Sequence, residues 1–177
     1  ANKRPVGKGS LTPKILFIGE APGREEDLTG IPFVGQAGKL LDEWIYYLGL
    51  DKKDYAVTNV IRCRPINSLN ENRIPSVNEI KNCFTFLNET IRLLSPKLIV
   101  VLGNTAYQTI LPDISEKISH IAGSFCKTKK GNMVYVLMHP AYFLRNTNLE
   151  WKPYLEELKN SLKQEVLIDG NTTNTTH

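Results

Sequence analysis

The chain has 177 residues, 41% of them hydrophobic, with a net charge of +4 and three cysteines. That is enough apolar material for one self-standing core, yet every long apolar run is broken within about ten residues, short of a bilayer span. An odd number of cysteines and a polar, basic N-terminus without a signal-peptide pattern argue against a disulfide-stapled secreted domain, so an intracellular protein is expected. The positive charge is uneven. Lys3, Arg4, Lys8 and Lys14 precede the first acidic residue, and Lys127, Lys129 and Lys130 cluster further on, a distribution that allows a polyanionic partner.

In chain order, the first predicted strand is Lys14 to Gly19, an apolar run that opens into the tight loop Glu20-Ala21-Pro22-Gly23. Leu40, Leu41, Trp44, Ile45 and Leu48 then recur at helical spacing, with Gly49 as the stop signal. A second strand is predicted over Tyr55 to Val60. Ser76-Val77-Asn78-Glu79 is a capping box, and the helix it opens carries Ile80, Cys83, Phe84, Leu87 and Ile91 along one stripe before Pro96. A third strand covers Leu98 to Gly103, with Asn104 expected to cap the next helix through Tyr107 and Ile110. The fourth covers Met133 to Met138, and Trp151, Leu155, Leu158 and Leu162 form the stripe of the last helix. None of the four strands alternates cleanly, which suits strands buried on both faces. Strand–helix alternation of this kind predicts right-handed βαβ units, hence an α/β fold with a parallel sheet and helices on both sides. Residues 1–168 read as one domain. The polar, repetitive stretch 169–177 reads as a disordered tail or linker.

In open α/β sheets, ligands bind at the carboxyl ends of strands. Two such ends carry groups capable of chemistry: Glu20 after the first strand, and His139 after the fourth, within His139-Pro140-Ala141-Tyr142-Phe143-Leu144-Arg145. One offers a carboxylate, the other an imidazole.

These two clusters, with Thr58-Asn59-Val60-Ile61-Arg62-Cys63-Arg64-Pro65, Gly30-Ile31-Pro32-Phe33-Val34-Gly35-Gln36-Ala37-Gly38 and Leu102-Gly103-Asn104-Thr105-Ala106, resemble the uracil-DNA glycosylase superfamily. The match is best with the family 4, iron–sulfur type, and runs from about Val6 to about Leu158. The resemblance implies a three-layer αβα sandwich around a four-stranded parallel sheet. It also implies an enzyme that flips uracil out of single- or double-stranded DNA and hydrolyses its glycosidic bond, leaving an abasic site, with a monomer expected. Such chemistry needs no metal. It asks for a stacking aromatic, a reader of the base edge, a donor for the leaving oxygen and a carboxylate near the sugar. The resemblance assigns these to Phe33, Asn59, His139 and Glu20. Glu26 is the competing carboxylate, placed near the edge of the base. Ala21, counted with the substrate-binding residues, stands where the superfamily's better-known branch has an aspartate, which leaves the water-activating group open between the two glutamates. Phe143 and Leu144 fall where the superfamily inserts an apolar wedge into the base stack, and Arg145 suits a phosphate. Pro22, Gly23 and Asn104 are expected to contact the DNA strand.

Family 4 members hold a structural 4Fe–4S cluster on four cysteines, two of them in a Cys-x-x-Cys pattern near the N-terminus and two flanking a loop. Cys63 and Cys83 match the second two. The first two are absent from this chain, so the cluster set is incomplete, and Cys63 and Cys83 serve as ligands only if the missing pair lies upstream of Ala1. Cys126 matches no ligand position and reads as a small core residue. Two other readings compete: a catalytically weak DNA-binding relative or accessory domain of a larger replication protein, and a small-molecule α/β domain. The chain lacks the Gly-rich phosphate-binding motifs that the last would call for.

Overall fold

All five residues of strand β2 (Ile15–Gly19) are buried, and the sheet is built outward from them. The computed structural model describes residues 7–172. Ala1, Lys3, Arg4 and the end of the expected tail, 173–177, therefore lie outside the described residues. β2 pairs in parallel with β3 (Tyr55–Asn59) on one side and with β4 (Leu98–Leu102) on the other, and β4 pairs in parallel with β6 (Met133–Leu137). These are the four strands that the sequence predicts, with ends trimmed by a residue.

Two further strands close the edges. β1 (Gly7–Gly9) runs antiparallel to β3, and β5 (Ser124–Lys127) runs antiparallel to β6. The sheet is therefore six-stranded and mixed, in the order β1-β3-β2-β4-β6-β5. This corrects the expectation of four parallel strands. The edge strands escape sequence reasoning because Gly-Lys-Gly has no apolar pattern and Ser-Phe-Cys-Lys is only half buried.

Side chains alternate between two cores, as the period of two requires. Ile15, Phe17, Val57, Val100, Leu102, Tyr135 and Leu137 face helices α2 (Gln36–Tyr47), α6 (Pro140–Arg145) and α7 (Lys152–Thr172). Leu16, Ile18, Ala56, Ile99, Val101, Val134 and Val136 face α3 (Val77–Leu94), α4 (Asn104–Ile110) and α5 (Ile118–Ile121). Burial on both faces explains why these strands read as unbroken apolar runs. A short helix, α1 (Arg24–Thr29), sits in the loop after β2.

The capping box forms as expected, with Ser76 Oγ accepting from the Glu79 N–H. Three details differ. Phe84 is 39% exposed, so the buried stripe of α3 runs through Leu87 rather than through Phe84. Gly103, at φ +90°, takes the cap position of α4, and Asn104 is its first helical residue. Helix α7 continues to Thr172, into the segment expected to be a tail.

The connection from β2 to β3 leads one way along the sheet and that from β3 to β4 leads the other, so the strand order reverses between β2 and β4. Such a switch point opens a crevice at the carboxyl ends of its two strands. The site lies there.

Candidate active site

The carboxyl ends of all four parallel strands deliver residues to one cavity of about 610 Å³. β2 ends at Gly19 and presents Glu20. β3 ends at Asn59, β4 leads into Gly103 and Asn104, and β6 leads through Met138 to His139; all line the cavity with Glu26, Phe33 and Arg145. The loop Ala21-Pro22-Gly23 forms another part of the wall.

Two groups converge over Gly19, and a third lies against one of them. Phe33 and Asn59 are almost fully buried. A Cβ built on Gly19 would lie 2.4 Å from the tip of the Phe33 ring and 2.6 Å from Asn59 Oδ1. Glycine is thus required here to let the aromatic ring and the amide close on the strand end. The Phe33 ring lies against the His139 imidazole, with centroids 5.8 Å apart and planes 27° from parallel. Phe33 holds a backbone φ of +54°, an uncommon conformation for a bulky residue. Its carbonyl accepts from Lys8 Nζ at 3.0 Å, which ties this loop to β1. Strain of this kind persists where the surroundings over-determine a residue's position.

Asn59 Oδ1 is buried and, among the described residues, accepts no hydrogen bond. An unpaired buried acceptor costs about 1–3 kcal/mol, and here it stands in the wall of an open cavity where a ligand donor could reach it.

His139 caps α6, and its Nδ1 accepts from the Ala141 N–H at 3.1 Å. That acceptance places the ring's proton on Nε2. Desolvation, and secondarily the Arg145 guanidinium, lower the imidazole pKa to about 4. The side chain is therefore a neutral imidazole with Nε2–H as its donor. Gly103, whose positive φ already favours glycine, leaves space for the His139 Cβ, which a side chain there would meet at 2.9 Å.

The two carboxylates differ in surroundings. Glu20 Oε2 accepts from Thr105 Oγ1 at 2.5 Å, across the switch point between β2 and β4. Glu26 lies between Gly23 and Gly35, and burial raises its pKa despite hydrogen bonds from the backbone of its own residue and of Gly35.

The expected wedge pair separates. Phe143 is 5% exposed and packs its ring edge-on against Trp44, Tyr142 and Tyr154 in the core. Phe143 is thus a core side chain in this structure, whereas the wedge role expected of it calls for one that reaches the base stack. Leu144, its neighbour, is 40% exposed.

Sequence reasoning missed Thr105 and the hairpin after Pro65. In that hairpin Ile66 bridges Asn72, and Pro65, Asn72, Arg73 and Ile74 line the cavity. Cys63, Cys83 and Cys126 are free thiols. Among the described residues, no group of three or more His, Cys, Asp or Glu could hold a metal ion, and a four-thiolate cluster needs more ligands than Cys63 and Cys83 supply. Cys63 and Cys83 are half of the required set, so the residues from Ala1 onward do not by themselves fit the cluster. No helix among the described residues is long and apolar enough to cross a membrane.

The sequence model of the uracil DNA glycosylase superfamily matches residues 6–163. The Type-4 uracil-DNA glycosylase of Thermotoga maritima is 38% identical over 164 residues, covering 90% of this chain and 83% of its own length. Proteins of the same name from Sulfurisphaera tokodaii and Archaeoglobus fulgidus are each 40% identical, over 85% of this chain and 69% and 74% of their own lengths. With a cavity at the switch point lined by the residues that carry the motifs, the chain belongs to the uracil DNA glycosylase superfamily and groups with its Type-4 members.

Proposed function

We infer that the chain is a DNA repair glycosylase that removes uracil from DNA. The observation that carries the reading is the Asn59 Oδ1, unpartnered among the described residues and buried beside the Phe33 ring, which lies against the neutral imidazole of His139 in the same cavity. Uracil has an N3–H donor beside its O4 acceptor, so one amide matches both, Oδ1 accepting and Nδ2 donating. Cytosine presents the opposite pattern and leaves both amide atoms unpaired.

A stacked base is out of reach of such a cavity, so the nucleotide must leave the duplex and enter it. Phe33 is the platform for the flipped base. As the C1′–N1 bond breaks, negative charge gathers on the uracil ring and its O2, and His139 Nε2–H donates to that oxygen. A neutral donor serves well here because it needs no proton transfer and is already oriented by the Ala141 N–H. Glu20, held by Thr105, faces the sugar. There it offsets the developing positive charge and accepts a proton from the water whose oxygen adds to C1′. Uracil leaves as its anion and takes a proton from solvent, and an abasic site remains. Glu26, in a drier setting, borders the base edge. Leu144 takes the wedge position and Arg145, also exposed, a phosphate.

A labelled oligonucleotide containing uracil opposite guanine tests the reading. Incubation in chelator followed by alkali should cleave it at the uracil. His139→Ala should slow single-turnover excision by roughly a hundredfold or more, as for loss of one preorganised oxyanion donor. Full activity in that variant would remove His139 from the chemistry.

A further inference from the structure

The hairpin after β3 is ordered by side chains that read its own backbone. Arg64 Nε donates to Asn72 Oδ1 at 2.7 Å, and its Nη2 donates to the Asn70 carbonyl at 3.1 Å. Arg73 Nε donates to the Ile66 carbonyl at 2.9 Å, its Nη1 donates to the Ile74 carbonyl, and its guanidinium grips both carboxylate oxygens of Glu79 at the start of α3. A bidentate pair of this kind fixes geometry as well as charge. The braced segment nevertheless presents an apolar residue to solvent: Ile74 is 75% exposed and lines the mouth of the cavity.

The topology places this residue on the side away from Leu144. The hairpin follows β3, whereas α6 follows β6, and β2 and β4 lie between them. Three inter-strand spacings put the two exits roughly 14 Å apart across the sheet. A stiff, β-branched side chain on one flank and helix α6, whose Ala141, Tyr142 and Arg145 line the cavity and which carries the exposed Leu144, on the other therefore border the opening through which a nucleotide must pass.

We propose that Ile74, held by the Arg64 and Arg73 braces, is a second apolar wedge that presses on the base stack of duplex DNA beside the flipped nucleotide. The proposal rests on the function inferred above. Extruding a nucleotide costs the unstacking of its neighbours, which wedge side chains offset by filling the disrupted steps. Single-stranded DNA has little of that stacking to disrupt, so the contribution belongs to duplex substrates. The occupant is nucleic acid rather than protein because the residue borders the same cavity that receives the base, with Arg145 on the rim.

The test compares wild type, Ile74→Ala, Ile74→Leu and Leu144→Ala on one uracil sequence, single-stranded and paired with its complement. Ile74→Ala should lower single-turnover excision from the duplex about tenfold and change that from the single strand less than about twofold, the difference reflecting part of one unstacking step. Ile74→Leu should retain duplex activity. The second readout is binding without chemistry. In a duplex whose uracil carries a hydrolysis-resistant 2′-fluoro sugar, 2-aminopurine placed on either side of it should brighten with wild type, and Ile74→Ala should abolish the rise on a different side from Leu144→Ala. Equal losses on both substrates, or none on either, would overturn the second wedge. A lowered melting temperature with losses on both would instead mark Ile74 as packing. Failure of wild type on both substrates would overturn the function itself, and the wedge with it.

Discussion

Thr105 donates its hydroxyl proton to Glu20 Oε2 across the point where the strand order reverses. The bond joins the first turn of α4 to the loop after β2 and fixes one oxygen of a carboxylate that lines the cavity. On the proposed chemistry, Thr105 is a positioning residue, acting through Glu20 rather than on the substrate. Thr105→Val should lower kcat by about tenfold with little change in KM, the magnitude of losing a hydrogen bond to a charged group. Thr105→Ser keeps the hydroxyl and should restore most of the rate. A valine variant with wild-type kcat would show that Glu20 needs no such support.

The orphaned oxygen of Asn59 gives a prediction about specificity. Asn59→Asp replaces the amide donor with a second acceptor, which repels uracil O4 and matches the exocyclic amino group of cytosine. Sites that discriminate by leaving buried polar groups unpaired can do so strongly, by about 10⁴ in favourable cases. Uracil excision should therefore fall by about a hundredfold or more, with cytosine release appearing where wild type gives none. The measurement is base release from matched uracil and cytosine oligonucleotides. Unaltered uracil rates would place the amide away from the base edge.

Much of this arrangement is legible in the sequence, for a physical reason. β2, β3, β4 and β6 are buried on both faces and so announce themselves as apolar runs, and the candidate site residues sit at or just after their carboxyl ends. Glu20 and His139 could be found by asking what stands at the carboxyl end of a run, and Asn59, inside the predicted strand, by the motif resemblance. Thr105 could not, since a threonine in the first turn of a helix looks like any other until its partner, 85 positions away, is seen. The hairpin was equally silent, because its order comes from two arginines bonding to carbonyls that carry no sequence signal. Phe143 and Leu144 show a third limit. Successive residues on a helix point roughly 100° apart, so two adjacent apolar side chains cannot share one role, and only the packing around Trp44 decides which turns inward.

That division makes opposite predictions for the two neighbours. Phe143→Ala empties a ring-lined core position and should destabilise the fold by about 3–5 kcal/mol, the range for buried aromatic truncation. Leu144→Ala removes an exposed side chain and should leave stability within about 0.5 kcal/mol of wild type, while reducing excision from duplex DNA. Urea unfolding followed by excision at a temperature where both variants are folded separates the two effects. Equal stability losses would mean that Leu144 belongs to the core as well.

The neutral state of His139 predicts how stability depends on pH. Its pKa is lowered from 6.5 to about 4 in the folded protein, first by desolvation and then by Arg145. On lowering the pH through 6.5 the unfolded chain takes up a proton that the folded chain refuses until about pH 4. The contribution of this residue is thus fully present above pH 6.5, falls between 6.5 and 4, and changes no further below 4. One proton over that window amounts to about 3 kcal/mol at most. Carboxylates held low by arginines, such as Glu79 and Glu89, also lose stability in acid, so the quantity to measure is the difference between wild type and His139→Gln. The variant cannot take up a proton in either state. Its urea midpoint should therefore fall less steeply than that of wild type between pH 6.5 and 4, and the two curves should run parallel above 6.5. Parallel curves throughout would mean that the folded imidazole titrates normally, and the neutral Nε2–H donor assigned to the leaving oxygen would have to be abandoned.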